Sequence, residues 1–369
     1  MHKPAETQVM SEPITVTFNL ATHPDDERPV YLAGTFNNWN EHDERYRMSN
    51  QGRGHYVLRT PEPIQFPIEY KFTRGAWNTV EADEFGNSRD NHVVREPVSV
   101  IADTVYFWEK QGKLVLPQYL PKIEIISEEF EIPQLIKTRR IAALLPYDYY
   151  ETDKSYPVLY LQDGQNLFDD YAPFGSWGVD KKLSLMQRRG TGDIIIISID
   201  HAKEERIKEY NPSQHPKLGK GQGREYVRFL TETLKPFVDK RFRTKPGRLN
   251  TGIGGSSMGG LISIWAGFMY PEVYSKLMIF SPALWVNPNI HFHALRFTMT
   301  LQSRVYIYAG GAESKNMLPN VQRFKSALLK QEMNEADLDI ELSVDPDGKH
   351  TEGQWGKEFP KAVEWLFFR

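Results

Sequence analysis

One heptapeptide constrains this chain more than any other stretch: Gly254-Gly255-Ser256-Ser257-Met258-Gly259-Gly260. Ahead of it, Arg248-Leu249-Asn250-Thr251-Gly252-Ile253 reads as the end of a strand. After it, Leu261-Ile262-Ser263-Ile264-Trp265-Ala266-Gly267-Phe268 begins a helix. Gly255-Ser256-Ser257-Met258-Gly259 fits G-x-S-x-G with Ser257 at the centre. Ser256 does not fit, because the positions two residues either side of it are Gly254 and Met258. The paired glycines let a strand and a helix pack closely while Ser257 sits on a tight, strained turn. Its hydroxyl then stands at a helix N-terminus, where backbone N–H groups can stabilise an oxyanion. Ordinary strand-to-helix turns also produce G-x-S-x-G, so the surroundings carry the weight.

Bulk properties narrow the alternatives. The chain has 369 residues, enough for two domains. Its formal net charge is −3 with no long basic or acidic run, which argues against nucleic acid as a partner. It has no cysteine, so disulfides, thiolate metal sites and cysteine nucleophiles are excluded. Residues 1–10 form a polar tail without the apolar core of a signal peptide, and no apolar run reaches the length of a membrane span. The expectation is a cytoplasmic chain with no membrane partner, no cofactor and no metal.

Residues 11–108 read as an all-β sandwich. Ile14 to Phe18, Val30 to Gly34, His55 to Arg59, Ile68 to Phe72, His92 to Arg95 and Thr104 to Phe107 are short apolar-rich strands broken by Gly, Pro and Asn. Val30-Tyr31-Leu32-Ala33-Gly34-Thr35-Phe36-Asn37-Asn38-Trp39, followed by Tyr70-Lys71-Phe72 and Gly75-Ala76-Trp77, resembles the glycogen- and starch-binding modules of branching enzymes and of AMP-activated kinase. Gly86 to Asn91 falls where such modules carry a polar loop. The resemblance implies that Trp39 and Trp77 stack on glucose rings with Lys71 and Asn91 beside them, so a glucan is an expected partner. The alternative is a degenerate module that packs against the second domain and binds nothing.

Residues 109–122, with two prolines and no periodicity, read as a linker. From 123 to 369 strands and helices alternate, which implies a doubly wound, mostly parallel α/β sheet. Ile123 to Ile126 and Arg139 to Leu145 look like opening antiparallel strands. Pro157 to Leu161 and Asp193 to Ile199 suit buried parallel strands. Gly223 to Phe242 has helical spacing, with a kink expected at Pro236. Strands at Lys276 to Phe280, Arg304 to Tyr308 and Leu338 to Leu342 follow, with a helix over about Leu318 to Met333 and another at the C-terminus.

A serine on this kind of sheet needs a histidine later in the chain. His291 and His293 lie in a surface-like segment and read as structural or solvated. His350 lies in Asp345-Pro346-Asp347-Gly348-Lys349-His350-Thr351-Glu352, a loop between a strand and a helix, and is the expected general base. For the carboxylate behind it, Glu313 follows a strand end, whereas Asp345 and Asp347 share a Pro–Gly turn with His350. The expectation is Glu313, with a carboxylate oxygen roughly 2.6–3.2 Å from His350 Nδ1. For the oxyanion hole, the N–H of Met258 and that of Gln165, in the Gly164-bearing loop Leu161 to Phe168, are the expected donors.

Tyr160 to Phe168, Glu209-Tyr210, Leu234 to Asp239, Gly254 to Gly260, Phe280 to Trp285 and His350-Thr351-Glu352 with Trp355 together resemble the esterase D / enterochelin esterase family of α/β-hydrolases. That resemblance spans nearly all of 123–369 and implies the same Ser257, His350 and Glu313. The expected activity is hydrolysis of a carboxylic ester by Ser257 through an acyl-enzyme. The substrate is a small-molecule or oligosaccharide ester, of acetyl or feruloyl type. A siderophore ester is the second reading, acyl transfer a third, and a carbohydrate-binding protein with a silent hydrolase fold the reading from another class.

Overall fold

Strands of the N-terminal part bury alternate residues, as in β1 (Thr17–Ala21), where Phe18 and Leu20 point inward. This computed structural model describes residues 12–83, 86, 89–109, 117–169, 172–287, 289–290, 302–330 and 338–369. The chain divides into two units, Met1–Val115 and Leu116–Arg369.

After β1 the first unit continues with β2 (Tyr31–Gly34), β3 (Ser49–Gly52), β4 (His55–Arg59), β5 (Ile68–Thr73), β6 (Glu81–Ala82), β7 (His92–Val94), β8 (Val100–Thr104) and β9 (Phe107–Trp108). One sheet has the order β3-β4-β1-β8, a second the order β2-β5-β7, and β6 pairs with β9. Phe18, Leu32, Tyr56 and Phe72, drawn from both main sheets, belong to one buried cluster, so this is a sandwich. The expected strand Thr104 to Phe107 is two strands. β8 pairs parallel with β1, and β9 pairs antiparallel with β6, so the chain changes sheet across Val105 and Tyr106.

The second unit opens with the antiparallel hairpin β10 (Lys122–Ile132) and β11 (Lys137–Leu145). The first of these strands is longer than expected and begins inside the expected linker, of which residues 110–116 lie outside the described residues. Then follow β12 (Val158–Gln162), α1 (Val179–Arg188), β13 (Ile195–Ile199), α2 (Arg206–Glu209), the small hairpin β14 (Gln214–His215) and β15 (Gly219–Lys220), α3 (Gly223–Arg228) and α4 (Lys235–Arg241). A π-helical turn, Phe229–Leu234, joins α3 to α4 and places Pro236 in the first turn of α4, where no N–H is needed. The expected kink therefore takes the form of a π turn. The chain ends with β16 (Thr251–Ser256), α5 (Met258–Met269), β17 (Lys276–Phe280), β18 (Ser303–Gly310), α6 (Met317–Leu329), β19 (Leu338–Asp345) and α7 (Glu352–Val363).

The eight-stranded sheet has the order β10-β11-β13-β12-β16-β17-β18-β19 and is parallel from β13 to β19. Tyr160, Ile197, Ile253 and Ile264 pack on one face; Leu161, Ile196, Met278 and Phe359 pack on the other. This is the α/β-hydrolase fold, with β16 and α5 near mid-sheet. Among the described residues no helix is long and apolar enough to cross a membrane.

Candidate active site

Ser257 sits between β16 and α5 with φ 54° and ψ −117°, a conformation costly for any residue with a Cβ. The neighbours hold it there. Its N–H donates to Phe280 O at 2.9 Å, and its carbonyl accepts from Leu261 N at 3.1 Å and Ala283 N at 3.0 Å. The glycines serve close approach: a Cβ on Gly259 would lie 2.9 Å from Asp163 Oδ2 and 3.0 Å from the Cβ of Gln162. Ser257 thus ends a strand, opens a helix, and stands at the carboxyl ends of the parallel strands.

Glu313 and His350 meet beyond the ends of β18 and β19. His350 Nδ1 lies 2.6 Å from Glu313 Oε2. The Glu313 side chain is 1% exposed and the His350 ring 40%. Glu313 Oε1 accepts from Ser281 Oγ at 2.6 Å and from Gly310 N at 2.8 Å. Ser281 Oγ in turn accepts from Trp355 Nε1 at 2.9 Å, and the Trp355 ring packs edge-on against His350 at 4.8 Å. Both oxygens of this buried carboxyl group are therefore hydrogen-bonded, as a buried polar group requires. Ala312 N bonds Gly348 O at 3.1 Å and Gly311 N bonds Asp345 O at 2.8 Å, tying the two loops together. A side chain at Gly310 would strike Gly348 and the Glu313 carboxylate.

Asp345 Oδ1 accepts from Asp347 N at 3.0 Å and its other oxygen from Gln354 Nε2, so Asp345 closes its own turn. Neither aspartate contacts the His350 ring among the described residues. His291 and His293 lie outside the described residues.

Ser257 and His350 share one cavity of about 940 Å³, whose walls include Gln165, Asn166, Phe174, Trp177, Arg206 and Glu352. Among the described residues no hydrogen bond joins Ser257 Oγ to the ring. The N–H groups of Met258 and Gln165 likewise have no acceptor among the described residues. Gln165 belongs to the 3-10 turn Gly164–Asn166, which follows Asp163 in the left-handed region at φ 59°. Arg206 clamps that residue: Nε to Oδ1 at 2.6 Å and Nη2 to Oδ2 at 2.8 Å. Burial lowers the Arg206 pKa, but the Asp163 carboxylate outweighs it and the net shift is upward. Burial also pushes the Asp200 carboxyl up and the His201 imidazole down. Among the described residues no group of three or more His, Asp or Glu is arranged to hold a metal ion.

Residues 133–366 match the model of the Esterase family, described as "Putative esterase". The chain belongs to this family. It is an ester hydrolase on an α/β-hydrolase fold. YbbA of Bacillus subtilis, an uncharacterized protein, is 25% identical over 245 residues, covering 62% of this chain and 92% of YbbA. An α-amylase of Niallia circulans is 34% identical over 85 residues, which is 22% of this chain and only 7% of the amylase. Among solved structures, the enterobactin esterase FES of Shigella flexneri has a similar fold, with TM-score 0.54 at 15% identity, covering 95% of this chain and 92% of that one.

In the first unit of the esterase, the Trp39 and Trp77 rings lie 6.2 Å apart at 43°. Trp77 is 41% exposed and Trp39 partly so. Lys71, on β5, donates to the carbonyl of Arg89, and Asn91 Nδ2 donates to Glu69 Oε2 at 2.9 Å. The tryptophans are thus brought together, while both polar side chains are engaged with their own unit.

Sequence reasoning did not single out Ser281, Arg206, Asn166 or Glu352. Glu352 had a signal, standing two residues after His350 at a helix start. Ser281 and Arg206 had none, since each meets its partner only through the sheet order.

Proposed function

We propose that this esterase works through Ser257 as nucleophile, His350 as general base and Glu313 as the carboxylate that fixes the His350 tautomer. The 2.6 Å contact between Glu313 and His350, on the cavity that Ser257 lines, is the observation that carries this reading. With Nδ1–H donated to Glu313, Nε2 is left to accept the Ser257 proton. Ser257 Oγ attacks the ester carbonyl carbon, and the resulting oxyanion takes the N–H groups of Met258 and Gln165. The C–O bond to the alcohol then breaks, and His350 returns its proton to the leaving oxygen. Water, deprotonated by His350, attacks the acyl-enzyme, and the acid and free Ser257 result.

The substrate we infer is a carbohydrate-linked ester, of acetyl or feruloyl type. Support comes from the first unit, where the neighbouring rings of Trp39 and Trp77 suit the C–H faces of a sugar. Similarity to an α-amylase over 85 residues supports the same inference. A siderophore ester is the second reading, favoured by the likeness of fold to an enterobactin esterase over 95% of the chain.

A panel of p-nitrophenyl, feruloyl, acetyl-sugar and catecholate esters, run with wild type and Ser257→Ala, tests both. The first reading expects feruloyl or acetyl-sugar turnover that disappears with Ser257. Exclusive turnover of the catecholate ester would favour the second.

A further inference from the structure

Residues 280–283, where β17 ends, touch two members of the proposed triad at once. Phe280 O accepts from Ser257 N at 2.9 Å and Ala283 N donates to Ser257 O at 3.0 Å, so this stretch grips the backbone of Ser257 on both sides. Between those contacts stands Ser281, whose Oγ donates to Glu313 Oε1 at 2.6 Å. The other donor to that oxygen, Gly310 N at 2.8 Å, precedes Glu313 by only three residues. Ser281 therefore ties the carboxyl group to the stretch that holds Ser257.

A neighbour decides the direction of that hydroxyl. Trp355 Nε1 lies 2.9 Å from Ser281 Oγ, and an indole N–H can only donate. Oγ accepts there, so its one proton goes to Glu313 Oε1. With Oε1 filled by Ser281 and Gly310, Oε2 is left to face His350 Nδ1 at 2.6 Å. The backbone bears out a demand on this side chain. Ser281 is fully buried, and its φ of 43° lies in the left-handed region, which is costly for a residue with a Cβ. Glycine would adopt that conformation freely but would bring no hydroxyl.

We propose that Ser281 is a positioning residue whose hydroxyl fixes the Glu313 carboxyl group in register with Ser257, so that acid, base and nucleophile meet at one cavity. It acts through Glu313, and therefore rests on the reading of Ser257, His350 and Glu313 as the triad.

The test measures kcat and KM on one soluble ester, per folded protein by near-UV circular dichroism, for Ser281→Ala, Ser281→Gly, Glu313→Ala and the double variant Ser281→Ala with Glu313→Ala. Ser281→Gly removes the hydroxyl while relieving the backbone, so it separates the two roles of the position. Ser281→Ala and Ser281→Gly should each lower kcat by about 10-fold or more with KM within about 3-fold. Once Glu313 is Ala, Ser281→Ala should cost less than about 2-fold further, because a group that acts through Glu313 has nothing left to hold. Wild-type kcat in Ser281→Gly overturns the role of the hydroxyl. The same loss with Glu313 absent, which would trace to the packing of Trp355, overturns it as well, and both results leave the triad standing. Wild-type kcat in Glu313→Ala instead overturns the reading on which the role of Ser281 rests.

Discussion

Glu313 Oε2 and His350 Nδ1 are 2.6 Å apart although the residues are 37 positions apart in sequence. They meet because β18 and β19 are parallel neighbours, with Gly310 opposite Asp345, so both loops leave the sheet at the same place. Glu313→Gln keeps the size of the side chain but replaces the carboxyl group that orients the ring in the proposed mechanism. It should lower kcat by about 10²–10⁴-fold with little change in KM. Asp347→Asn should change kcat by less than about 3-fold. Steady-state kinetics on one soluble ester decides, and the reverse ranking would refute the assignment.

The Asp163–Arg206 clamp acts one step further from the chemistry. Asp163 holds a left-handed conformation directly before the turn that bears Gln165. Arg206→Lys replaces two parallel bonds with a point charge. In the proposed mechanism a loosened turn misplaces the Gln165 N–H, so kcat should fall about 10-fold or more while KM stays within about 3-fold. A rise in KM with kcat unchanged would instead make Arg206 a substrate-binding group.

Much of the fold was readable because its elements bury apolar residues at helical or alternating spacing. β12, β13 and β17 are almost wholly buried and read as apolar runs. β3 went unread because Ser49-Asn50-Gln51-Gly52 has no apolar residue to alternate. The sheet change at Val105 and Tyr106 was hidden because alternation continues through it. In the candidate site, the turn that bears Ser257 and the loop that bears His350 were legible from local motifs, since a turn and a loop announce themselves in sequence. Ser281 was not, because what matters in it is a bond to Glu313, and that depends on which strands are neighbours.

Lys276 offers a stability test. It faces Arg304 across β17 and β18, and its Nζ lies 5.4 Å from the centre of the Phe367 ring. Burial, then the charges of Arg304 and Arg248, push its pKa down from 10.5 to about 8. The unfolded chain therefore binds more protons than the folded one between those values, and stability should rise with pH across that window. Below it both states are protonated and the penalty is constant, about 1–2 kcal/mol for a partly exposed group. Lys276→Met should raise Tm at pH 7 by about 2–6 °C and flatten the rise between pH 8 and 10. A lower Tm, or an unchanged pH profile, would count against this account.

The paired tryptophans of the first unit predict retention on an insoluble α-glucan. Replacing Trp39 and Trp77 together with Ala should abolish retention and leave kcat/KM on a small soluble ester within about 2-fold. Stacking on an aromatic ring contributes roughly 0.5–1.5 kcal/mol beyond buried area, so single variants should weaken retention only partly. Equal retention of wild type and double variant would remove the glycan role from this unit.

The central claim is that Ser257 carries the acyl group, and trapping it is the most direct test. Incubation with a fluorophosphonate, followed by intact-mass and peptide mass spectrometry, should show one adduct, on Ser257. Ser257→Ala should show none, stay folded, and lose kcat by on the order of 10⁴-fold or more. An adduct on any other residue, or full activity in Ser257→Ala, would contradict the account.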